Sequence, residues 1–299
     1  MNKIDQHQAR LGYLYVCLAA MLFAISGTAA KFLFNDGITA FQLIQMRTTL
    51  AFSGLLLWLC LRYPTLLKIS LKSLPYFIGL GVFGIGSAQF FYLLAISKIN
   101  VAAAILLHYT GPVFVALYVV FVQRRKLRLN ITLAITGTLI GCFLVVGAYN
   151  LQIFALNRVG IIAGILAAVS FAVYSILSEY GMRQYTPWTV LVYGMLFAAL
   201  IWNILHPPLE GFLHNYSLVQ WGWILFIGIF GTIFPFGLYF EGVKRIQPTH
   251  ASITATLEPI SAGVIAALFL GEVMAPLQIM GGLIVIGSII ILQLNRTAN

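Results

Sequence analysis

Long apolar runs follow one another along the sequence, and each is about as long as a helix that crosses a bilayer. Roughly 20 consecutive apolar residues cross the hydrocarbon core in helical conformation. Because lipid offers the backbone no hydrogen-bond partner, each such run is predicted to be helical. We therefore expect an all-α integral membrane protein with ten transmembrane helices. They lie at about 11–33, 40–61, 74–96, 99–122, 130–149, 159–181, 188–205, 218–240, 247–270 and 276–294.

The composition excludes the water-soluble classes of protein. Hydrophobic residues make up 61% of the 299 residues and charged residues only 8%, whereas about a quarter of the residues in a soluble domain are charged. Soluble enzymes, nucleic-acid-binding proteins and secreted disulfide-rich domains are excluded on this ground. The expected partners are the lipid bilayer and a small molecule, and no nucleic acid is expected.

The distribution of basic residues predicts the orientation of the chain. With the N-terminus inside, thirteen Lys and Arg residues fall on the cytoplasmic side, and Lys31, Lys98 and Arg158 fall on the outer side. Cytoplasmic loops of membrane proteins are enriched in basic residues. We therefore predict a multi-pass protein of the cytoplasmic (inner) membrane with both termini in the cytoplasm. The first apolar run is too long for a signal peptide and is expected to be retained.

The two halves of the chain resemble each other in sequence. At an offset of 148 the first apolar run matches the sixth, beginning with Gly12 on Gly160. The expected units are residues 1–149 and residues 150–299, with five helices each. At an offset of 147, Gly81, Phe83, Gly84, Tyr92, Ile99, Ala104 and Pro112 fall without a gap on Gly228, Phe230, Gly231, Tyr239, Ile246, Ala251 and Pro259.

An odd number of helices in each unit makes the second unit enter the membrane upside down relative to the first. Such inverted repeats are a recurrent build of secondary transporters, which hold their substrate near the midplane between the halves. Channels and a few membrane enzymes share this symmetry. The repeat therefore predicts the architecture, and it favours transport among the functions.

Motifs in both halves resemble those of a known family. The second half contains Leu257-Glu258-Pro259 and Leu270-Gly271-Glu272, and the first half contains Tyr109-Thr110-Gly111-Pro112. On these residues the chain resembles the drug/metabolite transporter superfamily, specifically its EamA-type ten-helix permeases. The chain departs from the family pattern after helix 4, where Gln123-Arg124-Arg125 stands in place of the usual Gly-Glu.

The resemblance implies a monomer-sized carrier that moves small metabolites, often amino acids, with a central cavity between its helices. The expected activity is export of a small amphipathic solute by alternating access. Neither the solute nor a coupling ion is specified by the motifs. The sequence holds no ATP-binding motif, and no cofactor is expected.

Glu258 is the strongest candidate for substrate binding or coupling. It lies near the middle of predicted helix 9, where a carboxylate costs about 2.5–3.5 kcal/mol on insertion scales and normally faces a cavity or a partner. His250 lies eight residues earlier, within an arc of about 80° on the same helix. We predict that both side chains face the substrate. The alternative is a protonated Glu258 that only bonds a neighbouring helix.

Pro112 and Pro259 occupy equivalent positions in the two halves. Each proline leaves the carbonyl group four residues earlier without its helical partner. We predict a shared hinge or cavity wall, with a simple packing kink as the alternative. His108 and Tyr109 lie one turn before Pro112 and are predicted to bind the substrate.

Aromatic and basic residues complete the candidate site. Tyr92, Tyr174 and Tyr239 have an apolar body and a polar tip, which suits an amphipathic solute, although most aromatic residues of such a chain only face lipid or other helices. Arg47 lies about eight residues into helix 2, and a buried cation usually has a partner. Glu258 and a backbone carbonyl at a helix break are the two partners considered, and a structural clamp is favoured over substrate binding.

Two other classes of function remain open at this point. An intramembrane enzyme requires a nucleophile with its base, or paired metal ligands, and the sequence contains no such motif. Accordingly, no catalytic residue and no metal site are predicted. A non-transporting membrane receptor or assembly factor is the other alternative. Ligand-dependent flux distinguishes a carrier from either.

Overall fold

A computed structural model describes residues 3–294 except 123, 125–128, 146–148, 150, 244, 247–250, 252–253 and 256. Every regular element in this part of the chain is a helix, as the apolar runs predict. In the first half, α3, a first π-helical segment and α4 follow one another without a break. The elements are α1 (Lys3–Asn35), α2 (Ala40–Arg62), α3 (Leu74–Gly79), the first π segment (Leu80–Gly86), α4 (Ser87–Lys98), α5 (Val101–His108), α6 (Gly111–Phe121) and α7 (Leu129–Val145).

The second half contains a similar interrupted helix, in which α10, a second π segment and α11 are continuous. Its elements are α8 (Leu151–Gly181), α9 (Pro187–Leu205), α10 (Leu218–Gly228), the second π segment (Ile229–Ile233), α11 (Phe234–Val243), α12 (Leu257–Leu270) and α13 (Pro276–Leu294). Short 3₁₀ turns lie at Pro64–Leu67, Leu71–Ser73 and Glu210–Phe212.

Within the described ranges, six helical stretches are long and apolar enough to cross a membrane. The shorter helices α5, α7, α12 and α13 are apolar as well. An all-helical chain with these lengths fits a membrane protein. The six stretches are Gln8–Asn35, Ala40–Arg62, Leu71–Lys98, Asn157–Gly181, Pro187–Leu205 and Leu218–Gly242.

The fourth apolar run was predicted to form one continuous helix, but it forms two helices joined by a short turn. The helix stops at His108, Tyr109 and Thr110 form a turn, and α6 begins at Gly111. Pro112 then lies in the first turn of α6, where a missing N–H costs nothing because the first amides of a helix have no helical partner. The proline therefore lies where α6 begins.

Capping side chains define where several helices begin. Thr39 and Gln42 form a reciprocal capping box at the start of α2, with the Gln42 N–H donating to Thr39 Oγ1 over 3.2 Å. Ser217 and Gln220 form the same box before α10. Each box satisfies two amide or hydroxyl groups that the helix itself leaves unpaired. The connection before α2 also contains Gly37 at a φ of 93°, a conformation that suits glycine.

The two π segments disturb the regular hydrogen-bond ladder, and nearby side chains compensate. In each segment a hydroxyl group bonds the carbonyl five residues earlier, Ser87 to Val82 over 2.7 Å and Thr232 to Ile227 over 2.9 Å. π turns of this kind occur mostly as local interruptions of α-helices and often at functional sites. In this protein the two π segments lie beside the hydroxyl groups of Ser87 and Thr232, on helices that are otherwise apolar.

The helix α5 lies at the centre of the molecule. All residues from Val101 to Leu107 are buried, with Val101, Ala104 and Ile105 fully inaccessible. A helix that is apolar and buried all round lies in the core of a protein, with other parts of the chain on every side. This position brings the end of α5, and the turn that follows it, to the interior of the molecule.

Candidate substrate cavity

A cavity of about 240 Å³ lies in the interior between α1, α2, α4, α5, α8, α11 and α12. Aromatic rings from three helices form much of its wall, namely Phe23, Phe171, Phe236 and Phe240. Phe23 and Phe236 meet edge to face, with ring centroids 5.4 Å apart. An apolar wall with a few polar groups is typical of a site for a small ligand.

Six of the seven predicted substrate-binding residues line this one cavity. His250, the seventh, lies outside the described residues. The six come from five separate stretches of the chain, which shows that the fold brings them together. They are Tyr92, His108, Tyr109, Tyr174, Tyr239 and Glu258.

Glu258 is connected to the turn between α5 and α6. The Tyr109 hydroxyl group lies 2.9 Å from Glu258 Oε2 and 2.7 Å from the carbonyl oxygen of Ala255. Since Pro259 has no N–H, the Ala255 carbonyl has no helical partner and accepts from Tyr109 instead. A hydroxyl group has only one hydrogen to donate. Both contacts become full hydrogen bonds when Glu258 carries a proton and donates it to Tyr109.

Arg47 is held by the second π segment. Its Nε donates to Thr232 Oγ1 over 3.0 Å, and its Nη2 donates to the Gly231 carbonyl over 3.3 Å. Pro235 explains why this carbonyl is available, because the residue four positions later would normally donate to it. Of the two partners considered for Arg47, the structure shows the backbone carbonyl at a helix break.

Arg47 and Glu258 line the same cavity without forming an ion pair in the part of the chain that the structure describes. The Arg47 side chain is anchored on α10–α11, and Glu258 on the α5–α6 turn. The cavity therefore contains a fixed cation and a separate carboxyl group.

His108 lies between rings of the neighbouring helices. Its ring centroid is 5.2 Å from that of Tyr92 and 4.9 Å from that of Phe171, both in edge-to-face geometry. Phe171 in turn contacts Tyr174, with centroids 5.8 Å apart. A continuous aromatic surface thus runs from α4 across α5 to α8.

The structure places Pro259 away from this cavity. Pro259 is buried and lines a separate apolar groove of about 380 Å³ between α5, α12 and α13. Pro112 lies in the first turn of α6. Pro259 affects the cavity indirectly, through the carbonyl of Ala255 that it leaves free for Tyr109.

A charged cluster lies about one and a half turns beyond the cavity along α1 and about one turn beyond it along α4. Lys31 Nζ donates to the carbonyl oxygens of Ile96 and Ile99 over 2.9 and 3.0 Å and lies 3.5 Å from Glu272 Oε1. Glu272 Oε2 accepts from the Val101 N–H over 2.8 Å at the start of α5. This Lys31 cluster joins α1, α4, α5 and the segment that follows α12.

Three residues that shape the cavity or its anchors were not singled out from the sequence. Gln89 lines the cavity, Thr232 holds Arg47, and Pro235 frees the Gly231 carbonyl. Gln89 could have been found as a lone amide in the apolar run 74–96, on the same helical face as Tyr92. A polar side chain inside a membrane span is a functional candidate by default.

A family model described as the EamA-like transporter family matches residues 10–147 and, a second time, residues 158–294. The chain belongs to the EamA-like transporter family. Its resemblance to the drug/metabolite transporter superfamily, noted from motifs, is thereby confirmed. Membership identifies a multi-pass membrane transporter of small molecules and points away from an enzyme.

Relatives of this EamA-like transporter are named as transporters as well. An uncharacterized transporter of Archaeoglobus fulgidus is 30% identical and aligns over 94% of this chain and 96% of the relative. The uncharacterized inner membrane transporter YicL of Salmonella typhimurium is 27% identical, over 96% of each chain. The threonine/homoserine exporter RhtA of Escherichia coli K12 is 26% identical, over 94% of this chain and 90% of the relative.

A solved crystal structure has the same fold as this EamA-like transporter. It superposes with a TM-score of 0.59 and covers 98% of this chain and 99% of the other. The sequence identity of the pair is 19%, so the match concerns the fold alone.

Proposed function

We propose that this EamA-like transporter exports a small amphipathic metabolite, with amino acids as the leading class, by alternating access. The observation that carries this proposal is the cavity, in which a fixed Arg47 guanidinium and the Glu258 carboxyl group face an aromatic wall. A zwitterion with an apolar side chain matches such a wall in both charge and polarity. The relationship to threonine/homoserine exporters supports the class of solute and the direction.

The architecture that we propose is ten transmembrane helices in two inverted repeats, residues 1–149 and 150–299. Two matches of one family model, at 10–147 and 158–294, support it. The π segments also fall at equivalent places, since an offset of 147 carries Gly81 and Gly84 onto Gly228 and Gly231. Five helices in each unit would invert the second unit and leave both termini in the cytoplasm. We propose that one chain carries a complete site and acts as a monomer.

Coupling is proposed to involve Glu258. The two acceptor contacts of Tyr109 are best satisfied with a proton on this carboxyl group. A carboxyl group that faces the two sides of the membrane in turn can load a proton on one side and release it on the other. Proton entry would thereby be exchanged for solute exit.

Flux measurement in proteoliposomes tests the proposal. Purified protein is reconstituted, the vesicles are loaded with an unlabelled amino-acid mixture, and counterflow of radiolabelled amino acids is recorded. We expect saturable counterflow of at least one amino acid, which Arg47→Met reduces strongly. A receptor or assembly factor would bind ligand in a thermal-shift assay and yet produce no flux, and that result would overturn the proposal.

A further inference from the structure

The loop that connects α2 to α3, residues 63–73, is held in one shape by side chains of α9. The Tyr193 hydroxyl group donates to the Leu67 carbonyl over 2.6 Å. Thr189 Oγ1 donates to the neighbouring carbonyl, that of Leu66, over 2.8 Å. Since α9 belongs to the second half of the chain, this α2–α3 loop is fixed by contacts between the halves.

The fixed shape of the α2–α3 loop decides which of its side chains face outwards. Leu66 and Leu67 pack against the apolar cluster beneath the loop. Lys68, Leu71 and Lys72 are exposed, and Leu71 has 84% of its surface accessible. An exposed apolar side chain close to two cations is typical of a segment that lies at a membrane surface, with its apolar groups among the lipid chains and its charges in water.

Aromatic side chains place the α2–α3 loop at the level of the lipid headgroups. Trp58, in the last turns of α2, contacts Trp188 of α9 with ring centroids 4.8 Å apart and Tyr63 with centroids 5.5 Å apart. Trp58 and Tyr63 are both exposed. Trp and Tyr concentrate where the hydrocarbon of a bilayer meets its headgroups. Because the loop begins at Tyr63, its two lysines project among these headgroups.

The positive charge at this loop is not compensated by the described part of the chain. Arg62, Lys68 and Lys72 are exposed and take part in none of the ion pairs found there. The sequence contains no acidic residue from 37 to 178, and Glu179, which follows, pairs with an arginine of its own helix. Three like charges on one surface therefore attract an anion from outside the chain.

We propose that the α2–α3 loop binds the phosphate group of an anionic phospholipid, with Lys68 and Lys72 beside the phosphate and Leu71 among the acyl chains. An ammonium group has only donors, and a phosphodiester offers it charged acceptors. Each Lys or Arg near an anionic lipid surface strengthens binding about fivefold. A zwitterionic phospholipid carries a cation of its own next to the phosphate and is attracted less.

Quenching over a short distance tests this lipid site. A fluorophore is attached to Thr65→Cys, an exposed position of the loop, in the full chain with its native cysteines replaced by alanine. Nanodiscs of unlabelled phosphatidylcholine contain a small fraction of either phosphatidylglycerol or phosphatidylcholine, each with a spin label on the same acyl carbon. We expect phosphatidylglycerol to associate with the loop about tenfold or more strongly, because two lysines contribute about fivefold each.

Variants separate the loop lysines from the general charge of the protein. Lys68→Gln combined with Lys72→Gln should bring the two lipids to nearly equal association, whereas replacing both lysines by arginine should keep the preference. The matched control is Lys98→Gln, which neutralises an exposed lysine at the far end of the continuous α3–α4 helix and should change nothing. A fluorophore at Asn215→Cys, in an exposed loop without Lys or Arg, should detect no preference.

Three results would overturn the lipid site. They are equal association of both lipids with the wild-type loop, a preference that survives in the double Gln variant, and an equal preference at Asn215→Cys. Higher salt should weaken the preference because it screens exposed charges, and a preference that salt does not change would contradict binding through the lysines. These measurements involve neither solute nor flux, so their outcome is independent of the transport proposal.

Discussion

At the scale of single residues, the polar groups of the cavity are held by backbone carbonyls that prolines leave free. Pro235 deprives Gly231 of its helical donor, and Arg47 on another helix bonds the carbonyl instead. Pro259 acts in the same way on Ala255, whose carbonyl accepts from Tyr109. The proline positions thus decide where a side chain from the opposite half can be anchored.

Loss of the Arg47 anchor should lower stability, and restoring a backbone donor should recover part of it. Arg47→Met leaves the Gly231 carbonyl buried without a partner, which costs about 1–3 kcal/mol. Pro235→Ala returns an N–H that can donate to this carbonyl. We expect the melting temperature in detergent to fall in Arg47→Met and to rise partly again in the double variant. Arg62→Met, at the exposed end of α2, serves as the control, and additive effects of the two changes would contradict the explanation.

The role of Glu258 in coupling can be tested by removing only its ability to carry a proton. Glu258→Gln keeps the shape of the side chain and a hydrogen-bond partner for Tyr109. We expect it to abolish accumulation driven by a proton gradient while counterflow continues. Glu179→Gln, which changes an exposed carboxylate at the end of α8, should leave both assays unchanged. Proton-driven accumulation that persists in Glu258→Gln would exclude coupling through this residue.

At the scale of helices, close approach depends on particular glycines. A Cβ added to Gly81, in the first π segment, would lie 2.8 Å from the carbonyl oxygen of Gly194 and 3.1 Å from the amide nitrogen of Ala198 on α9. Both of these are backbone atoms, which cannot move aside as a flexible side chain can. By contrast, a Cβ on Gly79 meets nothing within 4 Å.

Gly81→Ala and Gly79→Ala therefore form a matched pair. Overpacking should make Gly81→Ala less stable by about 1–3 kcal/mol. Gly79→Ala is expected to be neutral or slightly stabilising, since alanine is the better helix former by about 1 kcal/mol. Melting temperatures of the purified variants measure the difference. Equal stability of the two variants would show that α9 does not pack against the π segment as described.

The Lys31 cluster predicts how the cavity is closed at the end that we propose faces the outside. Lys31→Met removes the ion pair with Glu272 and both bonds to the α4 carbonyls. We expect a cysteine at Ala88, which is buried and lines the cavity, to react faster with a membrane-impermeant maleimide added outside. Lys98→Met alters an exposed lysine at the same end of α4 and should not change this rate. A rate unaffected by Lys31→Met would argue against closure by the cluster.

Much of the helical layout could be predicted from the sequence, but the local departures from it could not. Apolar runs indicate where a helix lies because lipid requires a long apolar stretch. They do not reveal the break at Tyr109, since the residues on both sides of it are equally apolar, nor the π segments, which change the helical period over only a few residues. Gln89 was missed because its place in the cavity wall follows from how α4 packs, which the apolar run 74–96 alone does not show.

At the scale of the whole molecule, several polar contacts near the cavity join the first half of the chain to the second. Arg47 bonds Gly231, Tyr109 bonds Ala255, and Lys31 pairs with Glu272. Movement of one half against the other must break some of these contacts. They are therefore the interactions through which binding or protonation can favour one arrangement of the halves over another.

The orientation of the whole chain can be tested by cysteine labelling. In a background with Cys17, Cys60 and Cys142 replaced by alanine, single cysteines are placed at two exposed positions, Asn215 and Lys68. Because the basic residues favour cytoplasmic termini, Asn215→Cys should react from outside intact cells. Lys68→Cys should react only after permeabilisation. The reverse pattern would contradict both the orientation and the inverted arrangement of the repeats.

The anchoring of Arg47 on a backbone carbonyl has a consequence for how such a carrier can evolve. A point mutation replaces a side chain but leaves a backbone carbonyl in the chain, and a Cβ added to Gly231 would in addition collide with Ser26 Oγ. The aromatic wall, including Phe23 and Phe236, consists of side chains, which single substitutions replace. Descendants of this sequence that retain Gly231 and Arg47 can therefore acquire new solutes by altering the wall, while the positive charge keeps its position.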